Sequence, residues 1–306
     1  MNILITGGLG HIGTFFLSNS HYIKEIKNIY VIDQIELKML NLINLNLKRK
    51  INFINQDLSK KKLKIPYKNK INLVMHLASI TNASESFKKK DLVYKNNLSC
   101  FKNVLNYCIK NKIKLIHISS TSIYGSQNFF VDEDCKEVKP QSPYAEVKLI
   151  EEKLLIKTKS NFEFVSLRFG TIVGPSTGMR FHTAVNKFCM QAYLNHPLEV
   201  WRTALNQCRP YLSIRDSFKA FKFFIKKKKF DRNIYNIVSE NITVKDVIKK
   251  IKKHKKVKMK LVNDKIMNQL SYEVSTSKVK KICLNLNSKI QVDITNTFRS
   301  LDNKII

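Results

Sequence analysis

A tyrosine and a lysine near the middle of the chain have the types and spacing that proton transfer to or from an alcohol requires. Tyr144 and Lys148 lie in the segment PQSPYAEVK at residues 140–148. Ser142 is a good N-cap and Pro143 suits the first position of a helix, so we predict that a helix begins here. Residues four apart on a helix share a face. An ammonium group there favours the phenolate of a tyrosine, whose ordinary pKa is about 10, and brings it towards working pH.

A serine segment upstream of this pair can complete an acid–base site. Residues 119–125 read SSTSIYG and follow an apolar run that we predict to be a strand. A hydroxyl at the end of that strand can donate a hydrogen bond to the reacting oxygen and orient it towards Tyr144. A tyrosine–lysine pair alone is a weak signal, and the serine segment is what makes it a candidate catalytic set.

A glycine-rich loop near the N-terminus predicts a nucleotide site. Residues 6–13 read TGGLGHIG directly after a predicted strand, in a chain that has only 8 glycines. Such a loop can approach a pyrophosphate, which the N-terminus of the following helix then binds. Asp33 ends the next predicted strand, where its carboxylate can accept both ribose hydroxyls and would repel a 2′-phosphate. We therefore expect NAD rather than NADP, and Asp57, after the third strand, could reach the adenine.

The alternation of β-type runs with helical patterns predicts the elements that position these residues. Predicted strands cover residues 2–6, 28–33, 51–55, 73–77, 114–119, 164–168 and 234–238, and helical patterns cover residues 97–110, 185–193 and 244–253. This order is typical of a parallel sheet with helices on both faces. We predict an α/β fold with a Rossmann-type doubly wound parallel sheet. Residues 1–170 would form an NAD-binding domain with the catalytic residues, and residues 171–306 a smaller, mainly substrate-binding lobe.

The composition bounds the remaining possibilities. The net charge of +32 would suit nucleic acid, an anionic membrane surface or an anionic substrate. Lysine, asparagine and isoleucine are enriched together along the whole chain, so we interpret the lysine runs as solvated surface and expect no specific nucleic acid and no membrane partner. No apolar run approaches the roughly 20 residues of a transmembrane helix. The 6 cysteines lack metal-ligand spacing, so we expect reduced core thiols, no metal and a cytoplasmic protein.

In this combination of motifs the chain resembles the NAD-dependent epimerase/dehydratase family, the extended short-chain dehydrogenases that act on nucleotide sugars. The resemblance rests on TGGLGHIG, VID, HLAS, NNLSCFKNVL, SSTSIYG, SPYAEVK, LRFGTIVGP and RPYLSIRD, in family order and spacing. It implies the catalytic set Ser120, Tyr144 and Lys148, with Lys148 also bonding the nicotinamide ribose. The further expected cofactor contacts are Gly7, Gly10, His11, Ile12, Gly13, Asp33, Asp57, Leu58, Leu77, Ala78, Ser79 and Asn97.

The resemblance also implies a substrate side and a reaction. Ser120, Ser122, Tyr144, Thr171 and Arg209 would contact a nucleotide sugar, with Arg209 on its diphosphate and Thr171 where the family usually has asparagine. Related dehydratases and decarboxylases carry an acidic residue two places after the catalytic hydroxyl, where this chain has Ser122. The resemblance therefore favours an epimerase acting at C4 through a transient keto sugar. A keto-sugar reductase, a nucleotide-sugar dehydratase and a non-catalytic NAD- or RNA-binding relative are the alternatives.

A homodimer is the expected assembly. The helical patterns at residues 97–110 and 144–157 carry apolar residues beyond one face; on the second these are Leu149, Ile150, Leu154, Leu155 and Ile156. Members of the family pair these two helices into a four-helix bundle, which would make an isologous interface.

Overall fold

The computed structural model describes residues 1–65, 70–127, 130–159, 161–263 and 271–303. Its strands, in chain order, are β1 (Asn2–Thr6), β2 (Asn28–Asp33), β3 (Asn52–Asn55), β4 (Leu73–His76), β5 (Lys114–Ser120), β6 (Phe130–Val131), β7 (Phe164–Phe169), β8 (Thr171–Val173), β9 (Leu198–Trp201), β10 (Cys208–Ser213), β11 (Ile234–Ile237), β12 (Glu240–Thr243), β13 (Met259–Val262) and β14 (Glu273–Val274). Its α-helices are α1 (His11–Asn19), α2 (Met39–Ile43), α3 (Ala83–Ser86), α4 (Lys90–Lys110), α5 (Pro143–Ile156), α6 (Ala184–Tyr193), α7 (Ile214–Lys227), α8 (Val244–Lys252), α9 (Ser277–Lys281) and α10 (Ile290–Asp302).

A parallel sheet of seven strands forms the core of the N-terminal half, and its edge strand β11 comes from the C-terminal half. Its order is β11-β7-β5-β4-β1-β2-β3, and every neighbouring pair is parallel. The chain first moves outward from β1 to β3 and then crosses back to β4, on the other side of β1. The loops after β1 and β4 consequently diverge and leave a crevice at the carboxyl edge of the sheet, which is where ligands bind in open α/β folds.

Alternate residues of the strands are buried on opposite faces of this sheet. On β1, Ile3 and Ile5 join the cluster that contains Phe16 of α1 and Phe221 of α7, whereas Leu4 joins the cluster on the α4 and α5 side. Because both faces are covered by helices, the strands are mostly apolar on both faces rather than alternating between apolar and polar residues. The predicted fold class, a doubly wound Rossmann-type sheet, is confirmed.

The C-terminal half builds a second, smaller core and also returns to the first. β8, β10 and β12 form a three-stranded sheet, and apolar residues of α6, α8 and α10 pack in one cluster with residues of β8 and β10. Between these elements, β11 pairs with β7 of the large sheet and α7 packs against α1. The division at residue 170 stays a prediction, and β11 and α7 show that the C-terminal segment also completes the large parallel sheet.

Most predicted elements lie within one residue of the observed bounds, and β1 and β2 have the predicted ones. The main difference is α4, which begins at Lys90 rather than at residue 97. Its first two turns read KDLVYKN and lack the apolar spacing that the prediction relied on. Tertiary contacts extend the helix there, because Val93 is buried and the Tyr94 hydroxyl donates to the Glu146 carboxylate on α5.

The cysteines are all free, but they are not all in the core. Cys100, Cys108 and Cys189 are buried, and burial raises the pKa of the Cys100 and Cys189 thiols to about 12. Cys135 and Cys208 are half-buried and Cys283 is exposed. The prediction of core thiols is therefore wrong for Cys283. This residue follows α9 at a positive φ of 63°, where the chain turns at the surface.

Candidate active site

The loop between β1 and α1 packs directly against the backbone that follows β4. Gly7 has a φ of +70°, and a Cβ atom added there would lie 2.6 Å from both Cα and N of Ala78. Leu77 N donates to the Thr6 carbonyl at 2.9 Å, which holds the two segments together. Only glycine combines the left-handed backbone with this close approach. The structure thus brings the predicted Gly7, Leu77 and Ala78 together at the point where the strand order reverses.

Asp33 ends β2 beside this loop, and the protein itself orients its carboxylate. Leu9 N donates to Asp33 Oδ2 at 2.8 Å, and Gln34 N donates to Oδ1 at 2.9 Å. Lys38 Nζ lies 2.9 Å from Oδ1 and 3.1 Å from Oδ2. The carboxylate therefore stands at the edge of β2, where this fold places the ribose of a dinucleotide. The sequence analysis missed Lys38, because no motif places a lysine in the short 3-10 turn that brings it back.

Two of the expected cofactor residues, His11 and Asn97, use their side chains for hydrogen bonds within the protein. His11 Nε2 donates to the Gly174 carbonyl at 2.7 Å, and burial lowers the pKa of His11 to about 4, so the ring is neutral. Asn97 bonds both the N–H and the carbonyl of Ile80, at 2.8 and 3.0 Å. His11 can therefore offer a cofactor its backbone N–H, and Asn97 acts by fixing the loop after β4.

The other expected cofactor residues line the same edge of the sheet. Gln56 N donates to the Asp33 carbonyl at 3.0 Å, which places Asp57 and Leu58 next to Asp33. The Asp57 carboxylate accepts from N and Oγ of Ser59 at 2.9 and 2.6 Å, and Leu58 is buried. Gly10, Ile12 and Gly13 lie at the N-terminus of α1, and Ser79 lies in the loop after β4.

The serine segment that the sequence analysis predicts to be catalytic forms a short 3-10 turn at the end of β5. Ser120 Oγ accepts a hydrogen bond from Ser122 N at 3.2 Å and lies 2.9 Å from Ser122 Oγ. Both side chains are half-buried. The two predicted substrate contacts, Ser120 and Ser122, are adjacent, and both present hydroxyl groups rather than charges.

Tyr144 and Lys148 lie on α5, which packs against β5 and the serine turn. Ser142 caps this helix as predicted, because its Oγ accepts from Ala145 N at 3.2 Å. Lys148 Nζ is 6.0 Å from the centre of the Tyr144 ring and donates to Glu151 Oε2 at 2.8 Å. Tyr144 is half-buried, whereas Lys148 is buried. The helix therefore presents the phenol to the crevice and the ammonium behind it.

A buried ion pair that the sequence analysis missed ties α5 to the serine turn. Arg168 Nε and Nη2 donate to the two carboxylate oxygens of Glu152 at 3.0 and 2.8 Å, and Nη1 donates to Tyr124 Oη at 2.8 Å. Tyr124 in turn donates to Asn236 Oδ1 at 2.9 Å. Burial raises the pKa of Tyr124, so its hydroxyl stays neutral. The three bonded pairs of this network are 16, 44 and 112 positions apart in the sequence, so no local spacing predicts these contacts.

The expected substrate residues Thr171 and Arg209 lie on neighbouring strands of the smaller sheet. Thr171 begins β8 and pairs in register with Tyr211 of β10, two residues after Arg209. Arg209 Nη2 donates to Gln207 Oε1 at 2.8 Å, and among the described residues nothing accepts a hydrogen bond from its buried Nε. A half-buried guanidinium with spare donors is suited to an anionic group.

A second arginine, Arg180, lies at the crevice, and the sequence analysis did not predict it. Arg180 Nη2 lies 3.4 Å from the position of a Cβ on Gly10, and Nη1 donates to the Thr81 hydroxyl. Burial lowers the pKa of Arg180, yet a guanidinium remains charged. The segment that contains Arg180 packs against the glycine loop after β1, since a Cβ on Gly178 would lie 2.7 Å from Gly10 C and O. Arg180 therefore bridges both walls of the crevice.

A crevice with a glycine loop after the first strand, a carboxylate at the end of the second strand and a Ser-Tyr-Lys set is typical of dinucleotide-dependent enzymes of the short-chain dehydrogenase type. The sequence model of the NAD dependent epimerase/dehydratase family matches residues 3–238, and the chain belongs to this family. The family prediction is confirmed, and NAD, the expected cofactor, is the one for which the family is named.

Individual relatives span several reactions. The chain is 27% identical over 236 residues to an ADP-L-glycero-D-manno-heptose-6-epimerase of Brachyspira hyodysenteriae, covering 72% of this chain and 71% of that protein. It is 29% identical over 273 residues to a dTDP-D-glucose 4,6-dehydratase of Dictyostelium discoideum, covering 81% and 61%. A UDP-glucuronic acid 4-epimerase from Bacillus cereus, solved with UDP-glucuronic acid and NAD, has a TM-score of 0.87 at 24% identity and covers 100% of both chains.

Two further features concern the described part of the chain. None of its helices is both long and apolar enough to cross a membrane. Its histidine, cysteine and acidic side chains nowhere gather in groups of three that could hold a metal ion.

Cofactor selectivity gives the first testable prediction. We expect NAD to bind more tightly than NADP, because the Asp33 carboxylate would repel a 2′-phosphate. Replacing Asp33 with asparagine should reverse or abolish this preference, since Lys38 then loses its partner and faces the ribose as an unpaired cation. Fluorescence titration of the wild type and of Asp33→Asn with NAD and with NADP measures this. Lys38→Met is the matched control, and it should bind NADP no better than the wild type does. Equal affinity of the wild type for NAD and NADP would contradict the prediction.

Proposed function

We propose that the protein is an NAD-dependent nucleotide-sugar epimerase that inverts C4 through a transient keto sugar. The observation that carries the proposal is the pair Ser120–Ser122, whose hydroxyls are 2.9 Å apart beside an intact Tyr144 and Lys148. Oxidation at a carbinol needs the hydroxyl, the base and the ammonium, all of which are present. Elimination of water needs an additional acid or base, and the position that carries it in dehydratases is a serine here.

Each residue has a definite task in this reaction. Arg209 would bind the diphosphate of the substrate and so bring the sugar to the serine turn. Ser120 would donate a hydrogen bond to the C4 oxygen, and Tyr144 would accept the C4 hydroxyl proton. Lys148 would stabilise the phenolate during this transfer. The loops that carry Gly7 and Ala78, with Asp33 beside them, would hold NAD, which supplies a reversible hydride acceptor for C4. Tyr144 would give the proton back after the keto sugar has turned its other face.

Turnover without added cofactor is the test. The purified protein is incubated with a panel of nucleotide sugars, and the products are separated by chromatography. An epimerase converts one sugar into its C4 epimer without added NADH, because the hydride is recycled. A product that forms only with added NADH would assign a keto-sugar reductase, and a 4-keto-6-deoxy product would assign a dehydratase. Binding of NAD with no conversion of any sugar would favour a non-catalytic relative.

We further propose a homodimer formed by α4 and α5. Leu92 and Ile109 on α4 and Ile156 on α5 are 52%, 44% and 57% exposed, whereas Leu155, one of the residues expected beyond the core-facing side, is buried within the protomer. Exposed lysines, such as Lys102, lie on α4 too, so two copies would repel each other electrostatically. Light scattering at micromolar concentration should give the mass of a dimer. The fraction of dimer should rise with the salt concentration, because salt screens this repulsion. A monomer mass at every salt concentration would contradict the proposal.

The free cysteines fit a cytoplasmic location. We also propose that the positive charge does not serve to bind a specific nucleic-acid sequence. DNA or RNA should bind weakly, without sequence preference, and the affinity should fall steeply with added salt. Fluorescence anisotropy with two unrelated oligonucleotides at low and physiological salt measures this. Tight binding of only one of them at physiological salt would overturn the expectation.

A further inference from the structure

A row of polar side chains crosses the hydrophobic interior of the large sheet next to the catalytic helix. Thr6, His76, His117 and Ser166 are register partners on the adjacent strands β1, β4, β5 and β7. All of them are at most 1% exposed. Thr6 Oγ1 lies 2.7 Å from His76 Nδ1, and Ser166 Oγ lies 2.9 Å from His117 Nδ1. Because buried polar groups are costly in a sheet interior, such a row calls for a physical reason.

Glu151 of α5 connects this row to the catalytic lysine. It is 1% exposed, and its Oε2 accepts from Lys148 Nζ at 2.8 Å and from His117 Nε2 at 2.9 Å. Since a carboxylate can only accept, His117 carries its proton on Nε2 and accepts from the Ser166 hydroxyl at Nδ1. A continuous chain of hydrogen bonds thus runs from Ser166 through His117 and Glu151 to Lys148.

The charges in this cluster reduce to one pair. Burial lowers the pKa of His76 to about 3 and also lowers the pKa of His117, so both rings are neutral. Burial alone would lower the pKa of Lys148 and raise that of Glu151. The attraction between the two groups, with Tyr144 and Glu152 also acting on the lysine and His117 on the carboxyl group, outweighs burial, so Lys148 stays an ammonium and Glu151 a carboxylate. The other ionisable groups that act on the pair are Tyr144, Glu152 and the Cys100 thiol.

We propose that Glu151 is the positioning residue of the catalytic lysine: its carboxylate anchors the Lys148 ammonium one turn from Tyr144 and so controls how that ammonium acts on the Tyr144 hydroxyl. The proposal rests on the function assigned above to Tyr144 and Lys148. His117 and Ser166 fix the carboxylate, so the lysine keeps one geometry even though its stem is flexible. The anion also weakens the pull of the ammonium on the phenolate, because the two negative groups compete for the same cation.

The direction of the effect depends on whether Lys148 keeps its charge. Removing a negative charge from a cluster makes every remaining group there release its proton at lower pH. Glu151→Gln keeps the size and one accepting oxygen but removes the charge. In the NAD-bound protein the Tyr144 phenolate should form at lower pH than in the wild type while Lys148 stays an ammonium, and at higher pH once the buried lysine, without its counter-ion, releases its proton first. Either shift shows that Glu151 acts on the pair.

Ultraviolet difference titration of the NAD-bound protein tests this, with Tyr144→Phe as the blank that removes the other 10 of the 11 tyrosines from the signal. Glu152→Gln is the matched control. It removes a carboxylate that is equally buried on the same helix, but one whose two oxygens are bonded by Arg168 rather than by Lys148, so its shift should be smaller. Glu151→Asp, which keeps the charge, should titrate near the wild type. An unchanged titration in Glu151→Gln, or equal shifts in both Gln variants, would overturn the proposal.

A second measurement covers the case in which Glu151→Gln folds poorly. The melting temperatures of Lys148→Met, Glu151→Gln and the double variant are compared. An unpaired buried charge destabilises more than the absence of both charges, so the double variant should melt above either single variant. A double variant no more stable than Glu151→Gln would overturn the pairing. Neither measurement needs a sugar, so a failed substrate panel and a failed Glu151 proposal are distinguishable.

Discussion

Replacing Tyr144 with phenylalanine should lower the turnover of the nucleotide sugar by roughly 10²–10⁴-fold, the usual contribution of a positioned acid–base group. The change removes the hydroxyl that accepts the C4 proton and keeps the ring. Tyr144 lies in the first turn of α5, where the helix dipole adds to the ammonium of Lys148 in favouring the phenolate. No other group that we place in the site can take over this proton, because Ser120 and Ser122 are both weaker bases. Initial rates on the sugar identified by the panel measure the effect.

The controls separate chemistry from folding. NAD affinity and the melting temperature of Tyr144→Phe should match those of the wild type, because the half-buried phenol makes no hydrogen bond on which the described core depends. Ser120→Ala should reduce turnover less, since it removes one orienting hydrogen bond and leaves the base in place. If Tyr144→Phe retains more than about a tenth of wild-type turnover at saturating NAD, then Tyr144 is not the base and the proposed mechanism fails.

Replacing Gly7 with alanine should weaken NAD binding by roughly 10- to 100-fold, in line with the 1–3 kcal/mol that strained backbone positions cost. Two independent features of the structure lead to this expectation. The φ of +70° disfavours any side chain, and the new Cβ would meet Ala78 Cα and N at 2.6 Å. Backbone cannot step aside as a side chain can, so the loops after β1 and β4 would have to separate and the crevice would change shape. Titration with NAD measures the loss.

Gly8→Ala is the matched control one residue along. Its Cβ would meet Cγ1 of Val31 at 2.7 Å, a side-chain atom that can shift, and the Gly8 backbone is not in the left-handed region. This variant should therefore lose less NAD affinity than Gly7→Ala does. If the two variants bind NAD equally well, the close contact with Ala78 is not what shapes the crevice.

The sequence by itself determined the local features of this protein. The loop TGGLGHIG, Asp33 at the end of β2 and the Tyr144–Lys148 spacing each depend on a few consecutive residues, and the structure places them at one edge of the sheet. The bounds of β1 and β2 were predicted for the same reason, because apolar runs between turn residues are local signals. Residues 90–96 of α4 carry no such signal, and packing against α5 decided that segment.

Only the tertiary structure decided which side chains meet behind the catalytic residues. Arg168 and Glu152 are 16 positions apart, His117 and Ser166 are 49 apart, and Arg180 and Thr81 are 99 apart. In the sequence, His117 and Ser166 are isolated polar residues in apolar strands, and Glu151 is one of two adjacent acids on a helix. Parallel register aligns the first two in one row, and the packing of α5 on β5 brings Glu151 to that row. A charge buried in this way is stable only when its partners arrive from other strands and helices, so the fold, rather than any motif, selects Glu151 as the partner of Lys148.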